Sequence, residues 1–167
     1  MATRRRLSAR GYGPPMPTPR AVAEALLRYV GCLYVWRGKG DDIWTPSGLK
    51  PHGWGQRVFD CSGAIGQALL DAGGKDRRGT FSAQTYFDAF PEVASPDVFG
   101  ALRCYGTGPK TISHIAMSLG HGLVIEAAGG DSTTTTPDVS RARPSARVRV
   151  GFDLRRDLVG ARLLPGD

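Results

Sequence analysis

Several scarcities narrow what this chain can be. Only three of its 167 residues are cysteines, at positions 32, 61 and 104. They form no C-x-x-C pair and cannot all be bridged, which argues against a disulfide scaffold and a zinc finger and leaves at least one thiol free. Long apolar runs are missing too. The nearest, VAEALLRYVGCLYVW, is interrupted by Glu24 and Arg28 and falls short of the roughly 20 apolar residues a membrane span needs. Acidic residues are outnumbered 15 to 22 by lysine and arginine, a net charge of +7. The basic Arg4-Arg5-Arg6 cluster is followed by Ser8, Gly11, Gly13 and three prolines instead of an apolar stretch, so no export signal peptide is expected.

What is present describes a soluble folded domain. A hydrophobic fraction of 41% and a charged fraction of 22% are ordinary globular usage, and 167 residues suit one core. The positive charge attracts polyanions such as nucleic acid, anionic lipid or phosphate-rich wall polymer without choosing among them. Residues 1–17 read as a flexible basic leader rich in Pro and Gly, and 18–167 as a single domain. Thr18 suits an N-cap with Pro19 at the first helical position, and Ala21, Ala23, Leu26, Leu27 and Val30 recur at helical spacing up to Gly31. Residues 38–58, rich in Gly, Pro and Asp, read as a long ordered loop carrying Trp44, His52 and Trp54. A second helix is expected over CSGAIGQALLDAG behind Asp60, and a third over residues 82–90. Strands follow at 101–105, 114–119, 123–127 and 146–152. Helices first and strands afterwards predict an α+β domain with an antiparallel sheet.

Cys61 falls in the first turn of the second helix, where free N–H groups and the helix dipole favour thiolate. His114 is the histidine that opens a strand; His121 sits in a turn and His52 in the long segment. A strand imidazole facing a helix N-terminus can take the thiol proton and return it to a leaving amine. The ring needs an orienting partner. If Gly120-His121-Gly122 forms a three-residue loop, Leu119 faces Leu123, Ala116 faces Glu126, and His114 shares that face; a two-residue loop would turn Glu126 away. Asp131 or a backbone carbonyl are the alternatives. Cys32 and Cys104 read as structural.

These residues resemble a known family, the NlpC-type papain-like cysteine peptidases of bacterial cell walls, the NlpC and p-sixty group. Tyr34-Val35-Trp36-Arg37-Gly38 is similar to its aromatic-glycine segment, Phe59-Asp60-Cys61-Ser62-Gly63 to its nucleophile motif, and Phe81-Ser82-Ala83-Gln84 to the following helix start. His114-Ile115-Ala116-Met117-Ser118-Leu119-Gly120 is similar to its histidine strand, and Glu126 falls at its third catalytic position. The resemblance implies a papain-like fold with the nucleophile helix packed on the sheet that bears the base. It also implies hydrolysis of amide bonds in peptidoglycan stem peptides, often between γ-D-glutamate and a diamino acid, with no metal or cofactor. Cys61 would be the nucleophile, His114 the base and Glu126 the orienter. Tyr34, Asp60 and Ser62 would sit where family members bind the free amino end of the stem peptide, with Trp36 beside them. Asp60 is equally suited to be only a helix cap. Two departures stand out: the family's third position is usually histidine, and residues 38–58 are much longer than the family's usual connection, so that Trp44, His52 and Trp54 would either wall the groove or form a small satellite core.

Three other readings compete. One is an amidase or acyltransferase on the same scaffold. Another is an inactive wall-binding or phage structural module. The third, a specific nucleic-acid binder, is disfavoured because aromatics do not alternate with basic residues on one face. With no signal peptide, synthesis in the cytoplasm and delivery to the wall by a phage lysis or tail cassette, or by a secretion machine, is expected. An immunity or phage structural protein partner is left unidentified by the sequence.

Overall fold

The structure is a computed structural model that describes residues 16–45, 48–51 and 56–164, with side chains for 16–40 and 57–164. In chain order its elements are α1 (Pro19–Leu27), β1 (Leu33–Tyr34), β2 (Lys39–Thr45), β3 (Gly48–Pro51), β4 (Gln56–Phe59), α2 (Cys61–Asp71), α3 (Ala83–Ala89), β5 (Ala101–Gly106), β6 (Ile112–Gly120), β7 (Leu123–Ala128), α4 (Pro137–Arg141), β8 (Arg147–Phe152) and β9 (Leu158–Leu163). The strands form one sheet in the order β3-β2-β4-β1-β8-β7-β6-β5-β9, antiparallel except for the β1–β4 pair. This is the expected α+β layout. Met16 and Pro17, read as the end of the leader, are packed: Met16 lies against the core and Pro17 beside Gly74.

Local signals set the helix starts. Thr18, Asp60, Ser82 and Thr136 each accept a backbone N–H three residues on, which satisfies a first-turn donor that has no helical partner. Burial then selects the phase. In α1 the inward residues are Val22, Ala23, Ala25 and Leu26, continued by Tyr29; of the expected stripe Ala23 and Leu26 are buried, whereas Leu27 and Val30 are half exposed. Both phases are apolar in sequence, and packing against α2 decides between them. Helix α2 is buried at every position from Cys61 to Leu69, as befits a helix enclosed between α1 and the sheet.

The segment expected as a long loop is instead three strands. β2 pairs with both β3 and β4, and β4 with β1, so the segment is laid into a ladder instead of running free. A register shift between Lys39 and Ile43 absorbs Gly40, whose φ is +82°, and the Gly-Asp composition that reads as loop marks this bulge. His52 and Trp54 lie outside the described residues, as does the Trp44 side chain, so their role as groove walls lies outside them too.

The β6–β7 connection keeps the expected parity by an unexpected route. The turn has two residues, His121 and Gly122, both with positive φ (54° and 74°), as a tight hairpin turn requires. Met117 nevertheless pairs with Ile125 and Ser118 with Val124, because Leu119 is bulged out and Gly120 pairs with Leu123. One extra residue in β6 cancels the residue missing from the turn. Carried along the ladder, this register sets Ala116 opposite Glu126. Ile115, Met117 and Ile125 join the helix-side core, and His114 and Glu126 alternate with them.

Candidate active site

Asp60 caps α2 through a 2.6 Å bond from Gly63 N–H to Oδ1, which holds Cys61 at the first helical position. The helix can lie this close to the β1–β2 turn because position 63 has no Cβ: one built there would run into the Gly38 carbonyl oxygen. That turn is closed by Gly38 N–H donating to Val35 O at 2.8 Å, with Arg37 in the left-handed region at φ 67°. The Asp60 N–H in turn donates to Gly38 O at 2.8 Å, tying the turn to the start of the helix.

On the other wall, His114 is the third residue of β6 and is nearly buried. Its Nε2 lies 2.7 Å from Glu126 Oε2. An ionised carboxylate only accepts hydrogen bonds, so Nε2 carries the proton and Nδ1 is left for the Cys61 side chain, the other group that acts on the ring. Burial by itself would lower the His114 pKa, but the bonds and charges of Cys61 and Glu126 outweigh it and hold it up at about 9. Burial likewise pushes the Glu126 carboxyl up, and there His114 and Arg149 win and hold it below its usual value. Arg149, directly across the ladder on β8, donates to Glu126 Oε1 from Nε at 3.1 Å and from Nη2 at 2.9 Å. The carboxylate is thus divided, one oxygen to the imidazole and one to the guanidinium. Tyr105, paired with His114 on β5, packs its ring 5.6 Å from the imidazole and donates its hydroxyl to Asp153 at 2.9 Å.

The other two thiols differ from Cys61 in setting. Burial raises both, Cys104 to about 12, so each is held protonated. Asp131, the alternative orienter, bonds instead to Thr133 and Arg143. A cavity of about 410 Å³ opens beside the thiol and is lined by Trp36, Lys39, Asp60, Cys61 and Ser62, with Arg78 to Ala83, Thr85, Ile112 and Ser113. Tyr34 does not line it; its ring is buried against Gly130, and burial raises its hydroxyl pKa. Among the described residues no group of three or more His, Cys, Asp or Glu side chains is arranged to hold a metal ion, and no helix is long and apolar enough to cross a membrane.

No known family's sequence model matches the chain, and no curated protein does. Solved structures do. A P60 domain from an antigen of M. avium subspecies paratuberculosis is 22% identical over 88% of this chain and 95% of its own, with a TM-score of 0.61. The chain has the NlpC/p60 fold. The NlpC/p60 domain of the peptidoglycan hydrolase SagA is 23% identical, covering 87% of this chain and 97% of that one, with a TM-score of 0.57. RipD of Mycobacterium tuberculosis, described as a non-catalytic NlpC/p60 protein adapted to peptidoglycan binding, is 22% identical over 87% and 95%, with a TM-score of 0.59.

Within this NlpC/p60 fold two residues matter that sequence reasoning passed over. Arg149 was legible in principle, since the alternation of RVRV places it on one face, but its partner required the β7–β8 register. Lys39 had no signal: it reads as one more polar residue of a loop, and only the β1–β2 turn carries its ammonium to Asp60 and Ser62.

Proposed function

We propose that this protein is a cysteine peptidase that hydrolyses amide bonds in peptidoglycan stem peptides, the bond between γ-D-glutamate and a diamino acid being the expected target. The observation that carries the reading is His114 set between Cys61, which lines the cavity, and Glu126, whose carboxylate lies 2.7 Å from Nε2. Cys61 thiolate attacks the amide carbonyl, and the tetrahedral oxyanion is met by the Cys61 N–H, a first-turn donor with no helical acceptor. His114, protonated at both nitrogens, gives its Nδ1 proton to the leaving amine as the C–N bond breaks and the thioester forms. Water then attacks the thioester, His114 takes its proton, and the acid leaves with Cys61 restored as thiolate and His114 again protonated at both nitrogens. Glu126 holds the ring in the required tautomer and stabilises its cation throughout, the role a carboxylate plays in serine hydrolases. Trp36, Asp60 and Ser62 face the peptide along the cavity.

The likeness to RipD favours one other reading, a domain that binds peptidoglycan without cleaving it. Mass spectrometry of purified muropeptides incubated with the wild type, Cys61→Ala and Glu126→Ala separates the two. Hydrolysis by the wild type that Cys61→Ala abolishes establishes the peptidase and names the bond. Products carrying a new acyl acceptor mark a transferase. Retention of muropeptides with no cleavage at any pH establishes the binding module.

A further inference from the structure

Among the described residues Asp60 is the only acidic one lining the cavity, and its charge is already spent. Oδ1 accepts the Gly63 N–H at 2.6 Å and the Ser62 hydroxyl at 3.1 Å, while Oδ2 accepts Lys39 Nζ at 2.7 Å. Lys39 Nζ also donates to Ser62 Oγ at 3.2 Å. The other cation in the lining, Arg78, is turned to Asp76 and Gln67. The cavity wall beside the thiol therefore presents an ammonium where an exposed carboxylate would welcome one.

The lysine is held there by the backbone. It opens β2 in register with Phe59, directly after the Val35–Gly38 turn whose carbonyl is bonded to the Asp60 N–H. Swinging it away would unpair a carboxylate whose side chain is only 9% exposed.

We infer that Lys39 makes this subsite one for an acyl-capped peptide end, so that the protein selects stem peptides whose first amino group is amide-linked over those in which it is a free ammonium. The inference rests on the peptidase reading for the identity of the ligand. An incoming ammonium meets the like charge of Lys39 or must displace it, and either route costs binding. An ammonium has three N–H donors, and two of those of Lys39 are used within the protein. The third has no acceptor among the described residues, and the carbonyl oxygen of an acyl cap would supply one. Stem peptides still joined to glycan carry such a cap; peptides already released from it carry the free amine.

The test uses two synthetic stem peptides identical but for the first amino group, one free and one acetylated, with the wild type, Lys39→Met and Lys39→Gln. The wild type should favour the acetylated peptide in kcat/KM by roughly tenfold or more at about pH 6.5, where an α-amino group is charged. That ratio should fall as pH rises through about 8, where the peptide amine loses its proton, while titration of the active site cancels from the ratio. Both Lys39 variants should bring the ratio to unity or below. Calorimetry on the Cys61→Ala protein gives the same comparison as binding. Acetylated peptide bound more tightly with neither peptide cleaved by the wild type would sink the peptidase reading and keep the subsite. Equal or reversed preference in the wild type, a ratio unmoved in both variants, or binding of neither peptide would overturn the inference.

Discussion

Asp60 and Glu126 stand on opposite walls of one site, and each is a nearly buried carboxylate clamped by a cation. Their neighbours make them different instruments. Asp60 bonds to an amide, a hydroxyl and an ammonium that the backbone holds in place, so it acts as a fixed strut under Cys61. Glu126 shares itself between Arg149, which is permanently charged, and His114, which is not. The same chemical group thus fixes position on the helix wall and tunes protonation on the sheet wall. What separates the two roles is whether one partner titrates.

The largest effect that tests this contrast comes from Glu126→Gln, which keeps the shape and removes the charge. It should lower kcat by about 10²- to 10⁴-fold, the range seen when an imidazole loses its orienting carboxylate. It should also bring the His114 pKa down from about 9 towards its ordinary value, read by NMR titration of the ring. The raised His114 pKa contributes stability that is complete below about pH 6.5 and lost as pH rises through about 9. The stability gap between wild type and Glu126→Gln should therefore narrow over that interval in urea denaturation. A ring that still titrates near 9 in the variant would assign the shift to Cys61 alone.

Asp60→Ala should act on stability at all pH values instead. Loss of the cap costs about 0.5 to 2 kcal/mol, and a partly buried Lys39 left unpaired adds to it, for a total of about 2 to 4 kcal/mol. In the Asp60→Ala background, Lys39→Met should restore part of the loss, a coupling that a double-mutant cycle measures. Additive effects would mean that the ion pair is incidental to the strut.

Arg149→Met is expected to be milder. Arg149 is 47% exposed, and a screened pair of this kind contributes about 0.5 to 1 kcal/mol at neutral pH. Because Glu126 is held below its usual carboxyl value, its contribution is present above about pH 4.5 and lost as pH falls through the folded value. The difference between Arg149→Met and wild type should shrink on acidification, and a difference that grows would place the role of Arg149 elsewhere. Smallest of all, Arg37→Gly should relieve the left-handed backbone at φ 67° and change stability by no more than about 1 kcal/mol, read as a small shift in Tm.

Much of the site was legible because its signals are short in sequence. A cap acts over three residues, so Asp60 and Ser82 announce their helices, and Cys61 follows at a first turn by counting. Strand alternation acts over two, so 114–119 and 123–127 stand out as a hairpin and bring His114 within reach of Glu126. Composition failed at 38–58, where Gly and Asp mark a bulge within a strand, because whether such residues form a loop or a ladder depends on a neighbouring strand being there to bond them. The apolar pattern of α1 held at Ala23 and Leu26 and missed at Leu27 and Val30 for a similar reason, since packing against α2 chose which apolar residues turn inward.

By itself, then, the chain's order of residues marked the starts of α1, α2 and α3, the strands β5 to β8 and the candidates Cys61, His114 and Glu126, all through signals a few residues apart, and it missed the strands within 39–59, α4 and β9. The tertiary structure decided what depends on counting across a turn and on distance along the chain. A single bulge at Leu119 keeps Glu126 on the face of His114, the β7–β8 register brings Arg149 from 23 residues away, and the turn at Arg37 carries Lys39 onto Asp60. Parity and long-range pairing are properties of the ladder and not of any residue in it, which is why they become visible only once the strands are laid side by side.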